Sequence, residues 1–352
     1  MKAAVLVCPG APLEIWSDVA VPEPRLGQVL VKLAFSGVCQ SQLMEVRGRR
    51  GPDPYLPHLL GHEATGVVQA VGGGVTKVRA GDPVVLGWIK GLGCDCAGMQ
   101  YKAGTRIVNA GAVTTFNEYA VVSENRCVPL PEGVPMDVGV LFGCAIPTGA
   151  GIVLHTLNPA PGSSLAVFGL GGIGLSALMA AKLFECSQVI AIDISPDKLG
   201  LARELGATST ILAREQDPVA AIRELTAGRG VDCAVEATGQ AKGIEQAFDA
   251  VRRGGGFAVF ASHPGYGEKI SLDPYELICG KRIQGSWGGQ CRPDADLPRF
   301  GELYRQGRLP LERLIGRRYA LEEINMALDD LEAHRTARPV IQIDPTLHSR
   351  AK

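Results

Sequence analysis

The stretch LAVFGLGGIGLSALMAAKLFECSQVIAIDIS (165–195) decides how this chain is read. It opens on a short apolar run, LAVFGL, of the kind found in strands buried on both faces. A glycine-rich turn leads into a helical stretch reaching Leu183, and a second apolar run, VIAIDIS (189–195), follows. Gly169, Gly171 and Gly174 spell G-x-G-x-x-G, with Gly172 inside the turn. In a chain with 45 glycines that pattern alone is weak. Its setting makes it specific: it leaves a strand, opens a helix, and is followed nineteen residues after Gly174 by Asp193, near the end of the next strand. The first glycine permits the tight turn, the second lets backbone approach a pyrophosphate, and the third lets helix and strand pack closely. The helix start then offers free N–H groups and a partial positive charge to phosphates. Asp193 would accept hydrogen bonds from ribose hydroxyls and repel a 2′-phosphate, which favours NAD over NADP. The local alternative is a strand-end carboxylate that caps the next helix.

Working outward, the alternation continues. A helix is expected from Pro196 to Leu205, a strand in VDCAVEATG (231–239), a helix near 241–252 and a strand in GGFAVFAS (255–262). Strands alternating with helices imply a parallel sheet covered on both faces, here over residues 146–288. Residues 1–145 read differently, with short apolar runs between Gly and Pro: VLVKLAFSGV (29–38), ATGVVQAV (64–71) and DPVVLGWI (82–89). They suggest a mainly β domain. The tail, 289–352, carries a helix and a last strand-like PVIQI (339–343), and is expected to return to that first domain.

A length of 352 residues fits two hydrophobic cores better than one. The net charge of −1, with no long single-sign run, argues against nucleic-acid binding. Met1 leads straight into KAAVLV without the layout of a secretion signal, so a cytoplasmic location is expected. The uncharged stretch 163–181 is long enough for a membrane span, but its glycines divide it into strand, turn and helix, so no membrane association is expected. Ten cysteines in such a chain are expected to be reduced rather than paired.

Four residues form a second constellation: Cys39 in SGVCQSQ, His62 and Glu63 in GHEATGVVQAVGGGV (61–75), and Cys144 in FGCAIPTG. Two thiolates, one imidazole and one open position describe a catalytic zinc site rather than a structural one. A metal there would lower the pKa of an alcohol bound in the open position.

With both constellations in place, the sequence resembles the zinc-dependent medium-chain alcohol dehydrogenases over nearly its whole length. The signature G-H-E-x-x-G-x5-G-x-x-V is present as Gly61, His62, Glu63, Gly66, Gly72 and Val75. GCAIPTGAG, AVFGLGGIGL, IAIDISPDKLGLARELGAT and GSWGG are similar to the liver-type enzymes and the glutathione-dependent formaldehyde dehydrogenases. The resemblance implies an α/β architecture: a GroES-like catalytic domain and a Rossmann coenzyme domain. It also implies an NAD-linked enzyme acting on a small alcohol or carbonyl compound, as a homodimer or homotetramer. It assigns Cys39, His62 and Cys144 to the metal, Glu63 to its exchange of ligands, and Ser41 to the alcohol proton. Around the coenzyme it places Thr148, Ile173, Phe260, Gly285 and Trp287 at the nicotinamide, Lys198 at the adenosine ribose and Arg338 at the pyrophosphate. Trp88 and Phe116 fall where the family has aromatic pocket walls.

The departures are informative. Many members bind a structural zinc through four cysteines spaced C-x2-C-x2-C-x7-C. WIKGLGCDCAGMQYKAG offers only Cys94 and Cys96, so one catalytic zinc and no structural zinc is expected. Met44 occupies the relay-histidine position and cannot carry a proton. Gln40 replaces a frequent basic residue, and Gln42 stands where an aspartate often supports the metal-bound histidine. The expected reaction is hydride transfer between an alcohol and NAD. Its rivals are redox-neutral epimerisation of a sugar or polyol with retained NAD, and a zinc-independent reductase, whose members lack the Cys-His-Cys set.

Overall fold

The computed structural model describes residues 1–347. The chain divides into two compact units, one of Met1–Cys144 joined by the chain from Arg292 onward, the other of Ala145–Cys291.

The Ala145–Cys291 unit is built on six parallel strands. Their order across the sheet is Ser209–Leu212, Gln188–Asp193, Ser164–Phe168, Cys233–Glu236, Phe257–Phe260 and Arg282–Gly285. Strand order reverses on either side of Ser164–Phe168, the point where such sheets bind ligands. The helix Gly172–Ala181 leaves that strand through the glycine turn. The next helix spans Pro196–Leu205, starting on a proline in its first turn and ending at Gly206, whose φ of 116° suits glycine. Phe168, Ile190, Ile211, Ile222 and Phe248 meet in the core on one sheet face. Complete burial of a side chain such as Phe248 contributes roughly 1.5–3 kcal/mol. The expected strands and helices of this stretch are all present, trimmed at their ends: Cys233–Glu236 within 231–239, Ala241–Ala250 for the helix near 241–252, Phe257–Phe260 within 255–262. Two strands, Ser209–Leu212 and Arg282–Gly285, lay outside the expected set.

The other unit turns on the ten-residue strand Gln28–Gly37. It pairs antiparallel with Ala64–Val71, with Tyr119–Ser123 and with Val340–Gln342 from the end of the chain. That last pairing sets Val340 against Gly37, so the chain just before Val340 lies beside the chain just after Gly37. A second, six-stranded sheet includes Ala3–Leu6 and His58–Leu59. The core beneath combines Leu6, Leu43, Leu60 and Phe116 with Ile324, Leu328 and Ile341. Among the described residues no single helix is long and apolar enough to cross a membrane.

Candidate metal centre and dinucleotide turn

Strand pairing assembles the metal centre. Cys39 follows the strand Gln28–Gly37 and is the N-cap of the helix Gln40–Val46. His62 and Glu63 immediately precede Ala64–Val71 on one side of that strand, and Arg338 precedes Val340–Gln342 on the other. The Val38 N–H donates to the Pro339 carbonyl at 3.0 Å, which fixes the second approach. Cys144 arrives at the end of the turn Val140–Gly143. Gly143 is needed there: a Cβ would come within 2.6 Å of Glu63 Cβ and 2.5 Å of the Leu86 carbonyl oxygen.

One ligand atom from each of Cys39, His62 and Cys144 lies within 4.8 Å of the others. Both cysteines are buried, and His62 Nε2 is buried with no hydrogen-bond partner. A buried imidazole nitrogen without a partner costs free energy unless something occupies it. Two sulfurs and an sp² nitrogen are a zinc donor set, so the residues fit the ion that the sequence implies. The hydrogen bond from Cys144, with Arg338 and His62 nearby, holds the Cys39 thiol well below its ordinary value. Cys144, the donor in that bond, is pushed well up. A divalent cation bound there would take both sulfurs as thiolates and release their protons. The side-chain nitrogen of Gln42 meets His62 Nδ1, while its oxygen accepts from the Cys39 N–H at 3.2 Å, so Gln42 stands at the supporting position but does not turn its oxygen to the ring.

Behind the ligands, Glu63 accepts a charge-assisted hydrogen bond from Arg338; both side chains are buried. Burial pushes the Glu63 carboxyl up, and the Arg338 guanidinium opposes that shift. For Arg338, burial works against the charge and is outweighed by Glu63, Cys39 and Cys144. The resemblance places Arg338 at the coenzyme pyrophosphate; in this structure one of its terminal nitrogens donates to Glu63, beside the metal ligands. Ser41 lies two residues beyond Cys39, half-buried, and its Oγ accepts from Arg50 Nη1 at 3.2 Å.

In the other unit, the glycine turn has the shape each glycine was assigned. Gly169 has φ +84°, and a Cβ on it would come within 2.9 Å of Ala237 backbone. Gly171 faces open space, the cradle a pyrophosphate requires, while a Cβ on Gly174 would stand 1.8 Å from the Gly169 carbonyl oxygen. Asp193 accepts from the Leu170 N–H at 2.7 Å with one carboxylate oxygen and from the Ser195 N–H at 2.9 Å with the other. It therefore braces the turn and the start of the next helix, and each oxygen keeps a lone pair for a ribose hydroxyl. Thr148 Oγ1 is buried without a partner, Ile173, Lys198 and Phe260 are half-buried, Gly285 lies against the Phe260 ring, and Trp287 is exposed.

Of the two aromatic walls, Trp88 is half-buried, its carbonyl accepting from Arg126. Phe116 is wholly buried in the core with Leu6 and Leu43. Sequence reasoning missed two groups. Glu124 gathers three backbone N–H groups, from Thr76, Lys77 and Cys94. Glu45, Asp53 and His58 bring two carboxylates and an imidazole within 4.8 Å of one another. Their only sequence signal was the crowding of ionisable residues between Glu45 and His58.

Comparison with known proteins agrees with this geometry. Residues 25–132 match the alcohol dehydrogenase GroES-like domain and residues 172–304 the zinc-binding dehydrogenase domain. The chain is 32% identical to an S-(hydroxymethyl)glutathione dehydrogenase of Escherichia coli O6:H1, over 97% of this chain and 99% of that protein. It is 32% identical to alcohol dehydrogenase 2 of Zea mays, over 97% of each chain. The solved structure of benzyl alcohol dehydrogenase from Acinetobacter calcoaceticus superposes with a TM-score of 0.88 at 35% identity, covering 97% of this chain and 99% of that one.

Proposed function

The chain belongs to the zinc-dependent medium-chain alcohol dehydrogenases and transfers hydride between an alcohol and NAD; we propose that it holds one zinc ion per chain and acts on small primary alcohols and their aldehydes. The observation that carries this reading is the buried Cys39–His62–Cys144 group with its unpartnered imidazole nitrogen. Zinc held there supplies Lewis acidity, lowering the pKa of an alcohol hydroxyl and stabilising charge on its oxygen as hydride leaves.

The chain's own residues do the rest. Glu63, held by Arg338, places a carboxylate beside the ligands to balance their exchange. Ser41 takes the alcohol proton: Arg50 fills one of its lone pairs, leaving its own hydrogen free to move on. The 169–174 turn holds the pyrophosphate, Asp193 the adenosine ribose, and Thr148 offers its unpartnered hydroxyl toward the nicotinamide. The primary-alcohol reading draws on the names of two relatives, whose substrates, benzyl alcohol and S-(hydroxymethyl)glutathione, both carry a –CH2OH group. Arg282–Gly285 is the outermost strand of its sheet, and Ile278 beside it is 81% exposed. An open strand edge of this kind pairs readily with another chain, so the working form is a homodimer joined there.

The test is a panel of benzyl alcohol, ethanol, S-(hydroxymethyl)glutathione and 2,3-butanediol, each with NAD and NADP, followed at the NADH absorbance. The highest kcat/KM should fall on a primary alcohol with NAD. A clear preference for the secondary diol would overturn the substrate class. Asp193→Ala should narrow the NAD preference about tenfold, the scale of one charged hydrogen bond; an unchanged ratio removes Asp193 from the ribose.

A further inference from the structure

The relay histidine of the family is absent, Met44 standing in its place, yet alcohol oxidation releases a proton that must leave the site. Ser41 and Glu45 sit four residues apart on the helix Gln40–Val46, so they share one face, a single turn apart. Arg50 spans the two: its Nη1 lies 3.2 Å from Ser41 Oγ and 3.7 Å from Glu45 Oε2. The other Glu45 oxygen is 3.9 Å from His58 Nε2, which is 2.8 Å from Asp53 Oδ2. His58 Nδ1 is 2.9 Å from the Leu59 carbonyl, and because a carbonyl only accepts, Nδ1 carries a hydrogen. The contact of Nε2 with a carboxylate oxygen requires one proton between them, so the His58–Asp53 pair already holds its proton.

We propose that Glu45 receives the alcohol proton through Ser41 and discharges it to solvent beside the His58–Asp53 pair, replacing the missing relay histidine. The balance is simple. The alcohol O–H bond breaks and its proton goes to Ser41 Oγ as the serine's own proton moves to a Glu45 oxygen, directly or through one water. Glu45, whose side chain is 26% exposed, then gives that proton to solvent, while His58, held by Asp53 at 2.8 Å, stays beside it and keeps its own proton. The hydride goes to NAD, so no other oxidant is involved. Burial pushes the Glu45 carboxyl up, which suits an acceptor that must later give its proton away. Arg50 and His58 oppose that shift, Asp53 adds to it, and His62 opposes it from farther off. A metal could also be imagined among Glu45, Asp53 and His58. Arg50 and a charged His58 already balance the two carboxylates, however, and a cation would have to enter beside a guanidinium.

The inference rests on the reading of Ser41 given above, and the experiment separates the two. Benzyl alcohol oxidation is followed from pH 6 to 10 in the native enzyme and in Glu45→Gln, His58→Gln, Ser41→Ala and the double variant Ser41→Ala/Glu45→Gln, with and without added formate, and with zinc content and NAD binding measured on each. Glu45→Gln should lose about 100-fold in kcat with KM unchanged, the scale of one lost proton-transfer group. Its pH profile should change, formate should restore most of the rate, and the double variant should be no slower than Ser41→Ala. A native rate in Glu45→Gln with a slow Ser41→Ala overturns the Glu45 role alone. A slow Glu45→Gln that formate rescues, beside a native-like Ser41→Ala, keeps Glu45 and removes Ser41. Uniform slowing with an unchanged pH profile and no rescue means Glu45 is only structural. Loss of a second bound metal in Glu45→Gln assigns the group to metal binding. Either result overturns the relay.

Discussion

Cys39 and Cys144 stand 105 positions apart in the chain and meet at one buried point with His62, whereas Cys94 and Cys96 are near neighbours in sequence and stay half-exposed. The thiols of the second pair face backbone carbonyls, Cys94 toward Gly74 at 3.8 Å and Cys96 toward Leu26 at 3.3 Å. The loop that carries them is held by other means. Glu124 accepts from the N–H groups of Thr76, Lys77 and Cys94 at 2.6–2.8 Å. Ser123 Oγ donates to the Cys94 carbonyl at 2.6 Å and accepts from Cys96 N–H at 2.9 Å. Asp294 adds an ion pair to Lys77 at 2.9 Å. What separates the two regions is burial and an unpartnered donor, not the number of sulfurs. In the first, a buried imidazole nitrogen stands without a partner beside two buried thiols; in the second, a carboxylate and a hydroxyl order the backbone around the thiols.

The comparison can be broken at either side. The largest effect belongs to Cys39→Ala or His62→Ala. Each should release the zinc and lower alcohol oxidation about a thousandfold, since the metal supplies several kcal/mol of charge stabilisation. A variant that kept both zinc and rate would end the assignment. Next comes Glu124→Ala, which should cost about 3 kcal/mol in urea unfolding, because hydrogen bonds to a charged group are worth about 1.5–3 kcal/mol and neighbours do not add fully. Zinc content should be unaffected. The three amides hold the Glu124 carboxyl down to about 2 against the opposing effect of burial. A folded value below the ordinary ~4.3 means its stabilisation is complete above that pH and is lost as the pH falls toward about 2. Proteolytic cutting near residues 90–97 should therefore rise across that interval, and a flat response would contradict the role. The smallest effect is expected from Cys94→Ser/Cys96→Ser, which should change unfolding by no more than about 0.5 kcal/mol and leave activity intact. Substantial destabilisation would show that those sulfurs do more than face carbonyls.

Much of this was legible in the sequence because it is local. The turn at 169–174, the helix Pro196–Leu205 with its opening proline and closing glycine, and the GHE segment before Ala64–Val71 carry their signals within a few residues. The strands Ser209–Leu212 and Arg282–Gly285 were not legible: both are short, and the second is an exposed edge without an apolar face. The ion pair between Glu63 and Arg338 joins residues 275 positions apart through two strand pairings, and no local pattern announces it. Glu124 acts through backbone amides, which leave no residue signature at their own positions. His58 gains its partners only when the segment from Glu45 to His58 folds back on the helix that follows Cys39.

The most direct measurement counts zinc by elemental analysis of the purified enzyme while NAD-linked oxidation of benzyl alcohol is followed through chelation and reconstitution. One zinc per chain is expected, with activity that disappears on its removal, returns on its restoration, and does neither in Cys144→Ala. Full NADH production by the metal-free chain would contradict the account.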